Sequence, residues 1–240
     1  MTTRRKEWIM QKECDEMTYY ARLFRMISQT KDESFRLNKA EEVRGLWKIT
    51  VTLSLVSMII YGIMAFLGVG SEEISKNGIW LSSFDFEASK LWFVLGRMVY
   101  GLLFAAIVIF LPSLLFYLLT GISYKKLIII QHTALIVFLI ERLLWIPLAL
   151  LAGLSWYVSP LSFGIIASYI TNISWIVYFF GAISLFQLWI IYFQANFLAK
   201  YSDVRNRFVW LNVILIHFLG WVVASVLANV DSYIISGWFG

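Results

Sequence analysis

The chain is short of charge, cysteine and proline, and each shortage removes a class of protein. Only 15% of its 240 residues are charged, against 60% hydrophobic. A water-soluble domain of this length cannot hide that much apolar surface. The single cysteine, Cys14, excludes an internal disulfide and a cysteine-based metal site. There is no HExxH pair, no GxSxG elbow and no P-loop, so no metalloprotease, serine hydrolase or energising ATPase is expected. No nucleophile, base and orienting group converge, and the reading is of a non-enzyme without metal or cofactor. The net charge of +5 is not gathered on one groove-facing element, which argues against nucleic acid. The first 45 residues lack an apolar stretch followed by a small-residue cleavage site, so the first span is expected to act as its own insertion signal.

What is present is a series of apolar runs, near residues 47–69, 91–120, 127–152, 161–199 and 208–230. Each is long enough to cross a hydrocarbon core of roughly 30 Å at about 1.5 Å per residue. The fourth is too long for one simple crossing. A short interfacial or re-entrant piece near 161–169 followed by a helix near 172–198 is one reading, and a single long, tilted helix is the other. Pro112 and Pro147 fall inside runs and should kink them. The expected architecture is all-α: a polytopic bundle of five transmembrane helices. Residues 1–45 form a cytoplasmic amphipathic helical segment, 46–230 the membrane domain and 231–240 a short outer tail.

Basic residues sort by connection. Eleven lie in residues 1–48, Lys125 and Lys126 follow the second run, and Lys200, Arg205 and Arg207 follow the fourth. Only Lys76 and Lys90 fall in the first outer connection. This bias predicts a multi-pass protein of the cell membrane, with its N-terminus in the cytoplasm and its C-terminus outside.

Ahead of the first run, Met10, Cys14, Met17, Ala21, Phe24 and Ile27 recur at helical spacing. Thr30 and Glu33 have capping-box spacing and predict a second helix, with Phe35, Leu37, Ala40 and Val43 on its apolar side. Gly45 marks a looser junction. These helices either pack on the inner ends of the spans or form a docking platform. The outer connection 70–90 carries Glu72, Glu73, Asp85 and Glu87 among Trp80, Phe84 and Phe86.

Polar residues at membrane depth are the candidate functional residues. Arg97 lies about 10 Å below the outer boundary and Glu141 about 8 Å. Equal depth on consecutive antiparallel spans predicts an ion pair, with Arg142 pointing about 100° away from Glu141. The pair either sets helix register or lines a polar cavity. Nearer the inside lie His132, Gln194, Asn212 and His217, with Gln131 beside them. Hydrogen bonding between helices is the expected role, since no carboxylate or thiol completes a metal site there. Gly220, Ala224 and Ala228 form a small-xxx-small row suited to close packing within the chain or between subunits.

A charged N-terminus, five spans and a short outer tail resemble the Yip (Ypt-interacting protein) domain family. The stretches that carry the likeness are Pro112-Ser113-Leu114-Leu115 leading to Gly121 and Lys125-Lys126, and residues 187–202. The Asp-Leu-Tyr-Gly-Pro signature of the eukaryotic Golgi members is absent, which points to the bacterial branch. The resemblance implies a membrane protein that works through partners. These include lipids and other membrane proteins, such as the permease and ATPase of an ABC-type exporter, or partners in resistance to membrane-active peptides. The rival expectation is a small transporter or channel subunit using Arg97, Glu141, Arg142 and the two histidines.

Overall fold

The computed structural model describes residues 18–20, 22–71, 82–158 and 161–239. Met10, Cys14, Met17, Ala21, Glu72, Glu73, Lys76 and Trp80 therefore lie outside the described residues. The elements run β1 (Thr18–Tyr20), α1 (Leu23–Ser28), α2 (Thr30–Lys39), β2 (Glu42–Arg44), α3 (Leu46–Phe66), α4 (Ser83–Thr120), α5 (Tyr124–Ala152), a 3-10 turn (Trp156–Val158), α6 (Gly164–Ile170), α7 (Ser174–Ala182), α8 (Leu185–Tyr201) and α9 (Asn206–Phe239). Among the described residues, four helices are long and apolar enough to cross a membrane: α3, α4, α5 and α9 as far as Val230. The mostly helical, multi-span architecture agrees with the sequence.

The organising element is α5. Every residue from 127 to 139 is buried, so this helix is surrounded on all sides over nearly four turns. It packs against α1, α3, α4 and α8. By contrast α9 buries only one face, through Val209, Val213 and Ser225. A helix apolar all round and only part-buried fits a surface covered by hydrocarbon rather than water.

Close approach of α3 and α4 depends on small residues. Gly101 is buried, and its carbonyl accepts from Ser57 Oγ at 2.7 Å. A Cβ at Gly101 would stand 2.9 Å from the Ser57 carbonyl oxygen and 3.0 Å from the Tyr61 side chain. Gly101 and the fully buried Ala105 are one helical turn apart, so together they make the flat strip on which α3 lies.

The fourth apolar run breaks in ways the sequence reading did not anticipate. The expected short piece is present as α6. The expected helix over 172–198 is cut in two, because Ser184 caps α8, its Oγ accepting from Gln187 N at 3.2 Å. Leu161 and Phe163 pair with Leu185 and Ile183 through backbone hydrogen bonds of 3.0 and 3.1 Å. Gly164 and Gly181 both lie against the Tyr157 backbone with no room for a side chain, which folds α6, α7 and the 3-10 turn together. The helix α8 then runs antiparallel to α5. Ser184 meets Glu141 and Gln194 meets Gln131, a matched register along both helices.

Other boundaries also move. α4 starts at Ser83, ahead of the expected 91, because Ser82 Oγ accepts from Asp85 N at 3.2 Å. Both α4 and α5 continue through their prolines. α9 continues to Phe239, so the expected tail is an extension of the last helix.

The N-terminal segment differs most. Residues 18–20 are strand, not helix, and pair in parallel with Glu42–Arg44, in keeping with the strand preference of Thr, Tyr and Val. The expected capping box is not formed. Thr30 is already inside α2 and donates back to the Met26 carbonyl at 2.9 Å. Glu33 instead accepts from Tyr19 Oη at 3.0 Å and lies 3.5 Å from Arg36. Gly45 adopts φ +78 and turns the chain from β2 into α3, a conformation that favours glycine. The whole segment packs on the basic end of the bundle: Tyr19, Met26, Leu37 and Ala40 share a core with Phe116, Leu127 and Ile130. Lys126 Nζ donates to the Asn38 carbonyl at 2.6 Å. Phe35, expected on the apolar side of α2, is exposed.

Two predictions follow from this packing. Burial, and then the neighbouring Glu33 carboxylate, raise the Tyr19 phenol well above its ordinary value. The folded chain thus holds that proton more tightly than the unfolded chain. Its contribution to stability is complete below about pH 10 and declines as pH rises further. Melting temperatures from pH 8 to 11 should fall less steeply in Tyr19→Phe than in the wild type. Separately, Gly101→Ala should lower stability by about 1–3 kcal/mol through overpacking. Gly220→Ala, where an added Cβ meets nothing within 4 Å, should not lower the melting temperature measured in the same detergent.

Candidate functional site

Three consecutive polar residues, Gln131, His132 and Thr133, sit in the buried stretch of α5. Successive residues on a helix point about 100° apart, so their side chains address different neighbours. His132 Nε2 lies 2.9 Å from Thr50 Oγ1 on α3. The Thr50 hydroxyl also lies within hydrogen-bond reach of the Leu46 carbonyl, at 3.0 Å. His132 Nδ1 is buried without a partner among the described residues. Gln131 Oε1 accepts from Gln194 Nε2 on α8 at 2.9 Å, and Gln194 Oε1 accepts from His217 Nε2 on α9 at 2.8 Å. Thr133 turns back to its own helix, donating to the Ile129 carbonyl at 3.1 Å.

The inner set is therefore two separate links rather than one cluster. Gln131, Gln194 and His217 join α5, α8 and α9. His132 and Thr50 join α5 to α3. Asn212 belongs to neither, because its Nδ2 donates to the Phe208 carbonyl of its own helix at 2.8 Å. Thr50 was not singled out from the sequence: a lone threonine early in an apolar run carries no signal until its partner is known. Among the described residues no group of His, Cys, Asp and Glu could hold a metal ion.

At the other end, Arg97 and Glu141 do not form the expected ion pair. Ion pairs between described residues are confined to Glu33–Arg36 and Glu42–Arg44. The Arg97 guanidinium lies over the rings of Phe93 at 5.1 Å and Tyr100 at 6.0 Å, and its Nη2 approaches Gly70 in the outer connection. Tyr61 from α3 packs edge-on against Tyr100, with ring centres 5.3 Å apart. Arg142 meets Tyr61 from the far side. Its guanidinium is 5.9 Å from that ring and 3.9 Å from Trp145, with the Tyr61 hydroxyl as a hydrogen-bond acceptor. Glu141 has Arg142 as its charged neighbour and the Ser184 hydroxyl as a hydrogen-bond partner.

The result is a ladder of guanidinium and aromatic groups that runs Arg97, Tyr100, Tyr61, Arg142, Trp145. Cation–π contacts strengthen when desolvated, to about 2 kcal/mol each, so rings can hold two cations where one carboxylate is available. Depth along a helix gives no azimuth, so the expected pairing did not take account of the aromatic residues beside the two arginines.

The row Gly220, Ala224, Ala228 faces away from the bundle. Gly220 and Ala224 are exposed, whereas Ser225 on the inner face is buried and donates to the Trp175 carbonyl at 2.6 Å. Close packing inside the chain uses Gly101 and Ala105 instead, a small-xxx-small pair equally visible in the sequence. No family model, curated protein or solved structure matches the chain.

Paired substitution separates these contacts. Gln131→Leu and Gln194→Leu should couple by about 0.6–2 kcal/mol in a double-mutant cycle read by unfolding in mixed micelles. Arg97→Gln and Glu141→Gln should instead add within about 0.5 kcal/mol. Coupling of more than 1 kcal/mol between that second pair would contradict the ladder.

Proposed function

We propose that this chain is a non-enzymatic accessory protein of the cell membrane that crosses the bilayer five times, with its N-terminus in the cytoplasm and its C-terminus outside. The fifth crossing is α8. Its matched antiparallel register with α5, from Ser184–Glu141 to Gln194–Gln131, supports a path through most of the bilayer thickness. The orientation rests on the basic residues gathered at one end of the bundle.

The observation that carries the accessory role is the commitment of intramembrane polar groups to one another. Gln131, Gln194 and His217 bond across helices, His132 bonds to Thr50, and Arg142 is wedged between rings. These groups serve assembly of the bundle rather than a solute path. The remaining features turn outward: the apolar face of α9, and exposed Phe24, Phe35 and Trp47 at the basic end. Both suit contact with lipid or with another membrane protein. The resemblance to the bacterial branch of the Yip family supports the same role, with an ABC-type permease and ATPase, or a system of resistance to membrane-active peptides, as the assembly served.

One observation favours a small transporter or channel subunit instead. Arg142 Nε is buried without a partner among the described residues, beside the Glu141 carboxyl. Native mass measurement after gentle solubilisation distinguishes the two. Stoichiometric co-purification with a permease and ATPase is the expected result. A lone monomer that passes protons or solute in liposomes, and loses flux in Glu141→Gln, would replace this reading with the second.

A further inference from the structure

The short helix α1 reaches farther into the bundle than a segment lying wholly below the spans would. Its Met26 is fully buried, and its half-buried Ile27 packs against the group Ala134, Val137, Phe138 and Ile190. Hydrogen bonds fix the height of that group. His132 stands level with Thr50 of α3, and Gln131 with Gln194 of α8. Ala134 lies two residues, about 3 Å, farther from the basic end than His132, and Ile190 four residues, about 6 Å, farther than Gln194. Trp47 lies three residues, about 5 Å, nearer the basic end than Thr50. Ile27 therefore reaches past the level at which α3 enters the bundle, and α1 stands beside the first turns of α3.

Two further observations belong to this level. The outward side of α1 carries Phe24, which is 76% exposed, and the start of α3 carries Trp47, which is 72% exposed. Arg25 and Lys48, each next in sequence to one of these rings, are also exposed. The carbonyls at the end of α1 are closed by the chain itself. Ser28 Oγ donates to the Phe24 carbonyl at 3.2 Å, Gln29 N to the Arg25 carbonyl at 2.7 Å, and Thr30 Oγ1 to the Met26 carbonyl at 2.9 Å. A helix end that closes its own carbonyls is suited to the edge of hydrocarbon, where water is scarce.

We propose that α1 is an interfacial helix that holds the segment 18–44 to the lipid surface at the basic end, with the Phe24 ring in the acyl region and Arg25 at the phosphates. Trp47 marks the same boundary on α3, as aromatic residues at a membrane interface do. An apolar ring beside a long cationic side chain matches a phospholipid, which presents hydrocarbon and phosphate a few ångströms apart. A protein partner in water would account for the exposed ring but not for the depth of Ile27 or the closed carbonyls. The proposal deepens the lipid-contact reading of these aromatics and rests on the chain crossing a bilayer.

Spin-label accessibility in liposomes tests it. The background is the full chain with Cys14→Ser, in vesicles of phosphatidylethanolamine and phosphatidylglycerol. Nitroxides are placed singly at Phe24→Cys, Leu219→Cys and Asp203→Cys. Collisions with oxygen, which concentrates in hydrocarbon, are compared with collisions with a nickel chelate, which stays in water. Leu219, exposed on the outward face of α9, is the lipid reference, and Asp203, exposed in the turn before α9, is the water reference. The oxygen-to-nickel ratio at position 24 should be several-fold above that at 203 and close to that at 219. If Phe24→Cys melts early, Ser28→Cys, one turn on along the same exposed side, replaces it. A ratio at 24 equal to that at 203 would overturn the proposal. Poor access of both reagents at 24 would also overturn it, because protein rather than lipid would then cover the ring. A water-like ratio at 219 is a separate failure, which would overturn the bilayer crossing itself and this proposal with it.

Discussion

A buried amide or imidazole must keep a hydrogen bond, and α5 carries one of each, with their partners on two other helices. Hydrocarbon offers nothing to an orphaned amide or imidazole, so the groups must be matched before the helices can close. Gln131 and His132 are adjacent in sequence and therefore diverge in space. One reaches Gln194 on α8 and the other Thr50 on α3. Two neighbouring residues thus fix the rotation of α5 about its axis, because turning the helix would break both bonds together. The contacts of α3 with α4, and of α8 with α9, are then built outward from a helix whose azimuth is set.

The two ends of the bundle solve the problem of charge differently. At the basic end, charges stay near water and the segment 18–44 covers the helix ends, with Lys126 donating to the Asn38 carbonyl and Tyr19 to Glu33. At the other end the cations go inside and are held by rings. Arg142 lies 3.9 Å from the centre of Trp145, closer than any ring contact made by Arg97. A guanidinium tolerates this because it is planar, weakly hydrated and able to stack. A lysine in its place would keep the charge and lose the stacking.

The helical, multi-span character was legible from composition, because apolar length is a property of the chain read one residue at a time. The runs that became α3, α4, α5 and α9 were found within a few residues, except that a side-chain cap starts α4 earlier and α9 continues to Phe239. Ser82 and Ser184 each start a helix by accepting from the backbone three residues on, a signal present in the sequence and masked by the hydropathy around it. Of the four polar residues expected to join helices, His132, Gln194 and His217 do so and Asn212 bonds within its own helix. What depth could not supply was direction. Arg97 and Glu141 were expected to pair, yet Arg97 lies over the Phe93 and Tyr100 rings and Glu141 meets Ser184. Strand β1 was hidden for a related reason: its pairing with Glu42–Arg44 depends on residues brought together only after α1 and α2 have folded.

The contrast between α5 and α9 bears on how the bundle can change. Withdrawing α5 would strip partners from Thr50 and Gln194 together and open the core along its length. Withdrawing α9 would break the bonds from His217 to Gln194 and from Ser225 to the Trp175 carbonyl. It would also part the ring contacts of Phe179 with Phe218 and Trp221. Its outward face makes no such commitment, since Gly220, Ala224 and the apolar residues around them already face outward. A shift of the last helix would therefore break those bonds and its packing on α7 and α8 while leaving the links among α3, α4, α5 and α8 in place. Because Gln194 bonds to Gln131 as well as to His217, a shift of α9 would leave the buried amide of α8 still held on one side rather than orphaned.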